Sequence, residues 1–196
     1  MDDIFNLADK IKINILNGTF SSLENNRKVN LQESKKHVEY NLSETRLYEL
    51  ENRYGDVTRA STFPVEEYQE NQNRWNFAFN SEKEFITYGG YELITKINQK
   101  YGNHSYSYSD MFHYPPCGYC GWHTNSDVSG KRMYLVWAEE DNKSFFRYRD
   151  LDTGKIITEW EKRGWQVHRF EPPIWHCVGS YTNRVSIGFR KLLEII

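Results

Sequence analysis

The sequence lacks any run approaching the ~20 consecutive apolar residues of a membrane helix, and its mean hydropathy is −0.80. No membrane partner is therefore expected. It holds three cysteines in 196 residues, an odd number too sparse for a disulfide framework and better suited to a reducing compartment. The opening MDDIFNLADKIK is acidic and has no basic-then-apolar leader, so the expected location is cytoplasmic. Charge of one sign is missing as well. Lys and Arg number 25 against 27 Asp and Glu, a net charge of −2, which leaves no overall basic field for nucleic acid. There is no internal repeat, low-complexity tract or proline-rich linker, and 196 residues suit a single domain with a real core.

What is abundant is aromatic: 14 Tyr, 11 Phe and 6 Trp, residues that favour strands. The chain divides by pattern at about residue 102. Residues 1–102 read as mainly helical. In NLQESKKHVEYNLSETRLYELENRYG, Val38, Leu42, Leu47, Leu50 and Tyr54 recur near helical spacing, Asn30 or Ser34 offers a cap, and Gly55 a stop. SEKEFITYGGYELITKINQKYG is a second helical stretch, interrupted at Gly89-Gly90 and firmest over Tyr91 to Lys100. Residues 103–196 change to short alternating or apolar runs: SYSYSDMFHY, RMYLVWAE, KSFFRYRD, GKIITEW, WQVHRFE, IWHCV and RVSIGFR. Turn signals at 129–130, 141–142, 152–154 and 163–164 separate them. Many short strands with tight turns point to a sandwich or jelly roll rather than a parallel sheet. The expected class is α+β: a helical layer followed by an all-β core.

Six histidines are present, and two stand apart. His123 and His176 each close a strand-like segment beside a tryptophan, in GWH and PIWHC, where strands remote in sequence can meet over one cavity. Beyond His176, NRVSIGFR places Arg184 and Ser186 two apart, hence on one strand face. A guanidinium and a hydroxyl there would form a carboxylate receptor. Arg190 has the same parity, further along.

Together these residues resemble the iron(II)- and 2-oxoglutarate-dependent dioxygenases, over about Tyr106 to Arg190. The parts are Tyr114-Pro-Pro-Cys-Gly118, His123-Thr-Asn125, His176 and Arg184-Val-Ser186. The resemblance implies a double-stranded β-helix (a jelly roll). It also implies Fe(II) held by His123 and His176, and 2-oxoglutarate held through its distal carboxylate by Arg184 and Ser186. Tyr114 would bond the cosubstrate, with Tyr134 as the other tyrosine for that task. Dioxygen is the co-reactant, 2-oxoglutarate is decarboxylated to succinate, and the substrate is hydroxylated or oxidatively demethylated. The aromatic wall expected around the site is Trp122, Tyr134, Trp137, Trp175 and Phe189. One departure stands out: where the family has a carboxylate two residues after the first histidine, this chain has Asn125. Three readings stay open for the third ligand: Asp127 turning back, the Asn125 amide, or no side chain at all.

Two alternatives compete. Cys117 and Cys120 have the C-x2-C spacing of structural zinc, with Cys177 and a histidine as the remaining ligands. A non-catalytic β-sandwich or cupin-like binding module needs no metal. A thiol–disulfide motif is disfavoured, because Gly-Trp-His after Cys120 reads as a strand and not as a helix start. For an oxygenase, a protein or peptide side chain, a nucleobase and a small metabolite all remain possible substrates.

Overall fold

The structure is a computed structural model that describes residues 1–17, 31–55, 77–79, 82–101, 106–125 and 130–191. Asp127 and His104 lie outside the described residues. Among the described residues, five helices precede or interleave the first strands: α1 (Asp2–Leu16), α2 (Leu31–Asn41), α3 (Glu44–Tyr54), α4 (Glu82–Thr87) and α5 (Gly90–Tyr101). The stretch read as one helix ending at Gly55 is two. Ser43 breaks it by taking an extended conformation and accepting the Arg46 backbone N–H at 3.1 Å, which caps α3. A serine in that role satisfies a donor that a continuous helix would have used differently. Gly55 ends α3 at φ +82, a conformation that glycine adopts without a Cβ penalty.

Among the described residues, nine strands form two antiparallel sheets. They are β1 (Phe77–Phe79), β2 (Tyr106–Tyr114), β3 (Gly118–His123), β4 (Arg132–Ala138), β5 (Ser144–Arg149), β6 (Ile156–Trp160), β7 (Gly164–Phe170), β8 (His176–Ser180) and β9 (Arg184–Lys191). One sheet runs β1-β2-β9-β4-β7 and the other β3-β8-β5-β6. The chain switches sheet at nearly every step from β2 to β9, which is the winding of a double-stranded β-helix. The α+β jelly-roll class expected from the sequence is what the strand order shows. The short β1 pairs with β2 at the edge and was not read from the sequence.

The two larger apolar clusters lie outside the barrel, and a smaller one of Tyr114, Cys120, Phe146 and Val178 lines its interior. On β9, Val185, Ile187 and Phe189 join Ile4, Leu7, Ile11 and Ile15 of α1 and Leu93 and Ile97 of α5 in one buried cluster. Across the barrel, Val38, Leu42, Leu47 and Leu50 of α2 and α3 cover Tyr119, Trp122, Phe145, Trp175 and Cys177 on the second sheet. Trp122 fastens this layer, donating its indole N–H to the Ser43 carbonyl at 3.0 Å, and Asn41 donates to the Tyr119 hydroxyl at 2.8 Å. With both outer faces covered, the inward residues between them are released from making the core. On β9 those are Arg184, Ser186, Gly188 and Arg190.

This inversion corrects the expected aromatic wall. Trp122 and Trp175 belong to the α2–α3 cluster, and Trp137 and Phe189 belong with α1. Only Tyr134 of that set lines the interior, together with Phe112, Tyr114, Phe146 and Phe170. Strand parity decides it: Trp137 and Phe189 are odd neighbours of inward even-numbered residues.

Candidate active site

The interior holds one described cavity of about 260 Å³. His123 closes β3 and His176 opens β8, directly opposite each other in register. The pairing shifts between Cys120 and His123, an irregularity that turns both residues inward while Trp122 faces the helices. Such bulges re-aim side chains next to functional sites. The two imidazole centroids are 4.1 Å apart at 52°.

The backbone fixes both tautomers. His123 Nδ1 lies 2.8 Å from the Gly121 carbonyl, and His176 Nδ1 lies 2.9 Å from that of Ile174. A carbonyl only accepts, so each Nδ1 carries the proton and each Nε2 keeps its lone pair. Burial pushes the His176 pKa well below its usual value, and the neighbouring His123 lowers it further. His176 is thus held neutral, and both rings turn Nε2 away from the backbone carbonyl that meets Nδ1, so that in the neutral form their lone pairs stand side by side as a divalent transition metal requires.

Asn125 stands beside them, with its amide N–H donating to His176 Nε2 at 3.3 Å. Its backbone is left-handed at φ +54, which asparagine tolerates better than most residues. A half-turn of the amide would place Oδ1 where the N–H now points. Among the described residues, no third His, Cys, Asp or Glu completes a metal-holding group with the two histidines.

The zinc alternative fails on geometry. Cys120 faces the cavity with its register partner Val178, whereas Cys177 sits in the α2–α3 cluster and Cys117 packs against that cluster. Opposite faces of a sheet cannot share one ion. Cys117 is a turn residue: Gly118 N–H bonds the Pro115 carbonyl at 2.7 Å, with Cys117 at φ +66 behind Pro116, the signature of a type II turn.

The end of the cavity away from the histidines is built on Arg184, the first residue of β9. It lies over the Tyr114 ring at 4.9 Å and, like Tyr114 and Ser186, lines the cavity. Its Nε and Nη2 are bound by Glu161 at 2.8–3.1 Å. Glu161 is 0% exposed and also accepts from Ser144 at 2.5 Å. Burial alone would push its pKa up, but Arg184, His168 and Ser144 together outweigh that and hold it at about 2. Arg184 Nη1 is buried with no hydrogen-bond partner.

Toward the histidines, a further polar group lies on β2, β4 and β9. Asp110 sits at a register shift of β2 and accepts from Tyr134 at 3.2 Å and from Ser109. Burial raises its pKa against the pull of those bonds and of Arg132 and Arg190, which face each other across β4 and β9. Of the residues predicted for the site, the structure places His123, Asn125, His176, Tyr114, Tyr134, Arg184 and Ser186 in one cavity. Glu161 and Asp110 were missed. Glu161 follows a short strand in TEWEKRG with nothing local to mark it. Asp110, in a run of Ser and Tyr, was legible as a charge on a strand but not as an inward one, because the bulge resets the parity.

No family model matches the chain, and no curated protein sequence matches it either. Solved structures do match, at low identity. A protein described as an oxidoreductase of the 2OG-Fe(II) oxygenase family, from Burkholderia pseudomallei, is 11% identical at a TM-score of 0.41, over 56% of this chain and 56% of its own. An oxalate oxidase in complex with glycolate is 10% identical at 0.40, over 60% and 52%. A cupin domain from Bordetella pertussis is 18% identical at 0.31, over 46% and 85%. The chain spans about half the length of the oxalate oxidase it matches. None of these likenesses adds to the strand order, from which the fold is read directly.

Proposed function

We propose that the protein is an iron(II)- and 2-oxoglutarate-dependent oxygenase. The observation that carries the reading is the pair His123 and His176, buried, opposed in register and each held at Nδ1 by a backbone carbonyl, which leaves Nε2 available to a metal. His123 and His176 would hold the iron, with an oxygen from the Asn125 amide or from Asp127 as the third protein donor. This set fits iron(II) in its nitrogen donors and departs from the usual facial triad if the oxygen is neutral. At the far end, Tyr114, Ser186 and the unpartnered Arg184 Nη1 fit the distal end of 2-oxoglutarate, and an orphaned buried donor is a group that a ligand acceptor would satisfy.

When bound, the iron with 2-oxoglutarate and dioxygen supplies the oxidation, giving succinate and carbon dioxide and hydroxylating or oxidatively demethylating the substrate. The chain's own share is positioning. The Gly121 and Ile174 carbonyls keep both imidazoles in the ligating tautomer, and Phe112, Phe146 and Phe170 line the cavity and exclude water. A cavity of about 260 Å³ is below the usual ~300–1,000 Å³ of ligand pockets. It suits the cosubstrate, with a protein side chain, a nucleobase or a small metabolite entering beside the histidines.

Anaerobic addition of Fe(II) and then 2-oxoglutarate tests the reading. A weak visible charge-transfer band is expected in the wild type and is expected to vanish in His123→Ala and in His176→Ala. A band that persists in both variants refutes the iron assignment. The second reading is a metal-free binding module. Purified protein that takes up neither iron nor the acid would establish it.

A further inference from the structure

The deep receptor differs from a simple arginine trap for a carboxylate. Arg184 is 3% exposed, and its fork already carries a carboxylate: Glu161, 0% exposed, is bound at 2.8–3.1 Å through both Nε and Nη2. The acid is ionised, since its pKa is held at about 2. Among the described residues, the further group that can bring a positive charge against this pair is His168, when protonated. Its Nε2 stands 3.4 Å from Glu161 and its Nδ1 3.4 Å from Glu159. A proton on that ring would therefore be answered by Glu159 as well. Counted together, Arg184, His168, Glu159 and Glu161 sum to zero with His168 protonated and to −1 with it neutral. The remaining neighbours, Tyr114, Ser144 and Ser186, are neutral.

We propose that the deep end of the cavity is a charge-neutral receptor set by Glu161. It takes a 2-oxo acid whose far end is a neutral hydrogen-bond acceptor about as well as one whose far end is a carboxylate. The inference rests on the reading of the site as a metal and 2-oxo acid centre and specifies the acid. A carboxylate arriving at Arg184 Nη1 meets attraction from the guanidinium and, from the guanidinium's other edge, repulsion from Glu161. The repulsion offsets part of the attraction, while burying the second anion costs more than burying an ester or amide carbonyl. The carbonyl still satisfies Nη1, which is buried without a partner. Glu161 also holds the fork so that Nη1, and not Nε or Nη2, is the nitrogen left to the cavity. It is a positioning residue for Arg184 as well as its counter-charge.

The test uses the full chain loaded with Fe(II) under anaerobic conditions. It is titrated with 2-oxoglutarate and with the 5-methyl ester of that acid, which keeps the metal-binding end and removes the distal charge. Binding is read by tryptophan fluorescence and by titration heat. In the wild type the two Kd values should differ by less than about tenfold, that is less than ~1.4 kcal/mol; a larger preference for 2-oxoglutarate overturns the proposal. In Glu161→Gln, which keeps an acceptor for Arg184 and removes the charge, preference for the dianion should rise about fivefold or more. An unchanged ratio in a folded variant overturns it. If Glu161→Gln does not fold, the wild-type ratio decides alone. Binding of neither acid overturns both this inference and the cosubstrate reading, whereas tight binding of 2-oxoglutarate with rejection of the ester overturns this inference and leaves that reading standing.

Discussion

At the scale of single residues, the question is what an amide does where a carboxylate is usual. Asn125 is within 3.3 Å of His176 Nε2, close enough to share a ligand with it once the amide turns. Replacing it with Asp puts an anion next to any divalent ion in a dry site. If the Asn125 amide supplies the third donor, Asn125→Asp is expected to tighten Fe(II) binding by about tenfold or more, measured by anaerobic titration. Unchanged affinity in that variant, with Asp127→Asn losing it, would move the third ligand to Asp127. The two histidines were legible from sequence because each stands at a strand boundary beside a tryptophan, His123 closing β3 and His176 opening β8. Their role could not be separated from packing until the register placed them face to face and the Gly121 and Ile174 carbonyls fixed the tautomers. Neither the register nor the carbonyl positions leave a trace in residue order.

At the scale of elements, strands were easier to read than helices or edges. The runs containing Tyr134, Phe146, Val167 and Ile187 alternate or are apolar at strand length, and each is a strand. The α2–α3 corner was hidden because Val38, Leu42, Leu47 and Leu50 continue a plausible apolar stripe through it, so only the cap at Ser43 reveals the break. Ser43→Ala should cost about 1 kcal/mol in chemical denaturation and loosen the corner that Trp122 grips. The β2–β9 pairing offers a sharper test. A Cβ at Gly188 would fall 2.3 Å from Asp110 Oδ1 and 2.7 Å from the Tyr134 ring, so glycine there makes room for a buried carboxylate. Gly188→Ala is expected to destabilise by roughly 1–3 kcal/mol, as overpacking does. Asp110→Ala in the same chain should recover part of that loss, which thermal melts of the two variants would reveal.

At the scale of the whole molecule, acid sensitivity should draw on Glu161, whose pKa is held at about 2. Glu161 titrates near 4.5 unfolded and about 2 folded. A depressed folded pKa means that the unfolded chain binds more protons between those values. Its contribution, roughly 3 kcal/mol, is therefore fully present above pH 4.5 and is lost as pH falls toward 2. Glu161→Gln should flatten that part of the stability–pH curve in denaturation series from pH 5 to pH 2; an identical slope would assign the acid transition to other groups. The barrel, with its two larger apolar clusters outward under the helices and its charged residues inward beside a smaller apolar cluster, has a different kind of consequence. In most domains the residues that hold the fold together and those that meet the ligand compete for the same interior. Here they occupy opposite faces of the same strands, Val185, Ile187 and Phe189 on one side and Arg184, Ser186 and Arg190 on the other. Inward changes such as Ser186→Ala can thus alter what the cavity recognises without touching the two outer apolar clusters, so the chain can drift in specificity while its folding is conserved.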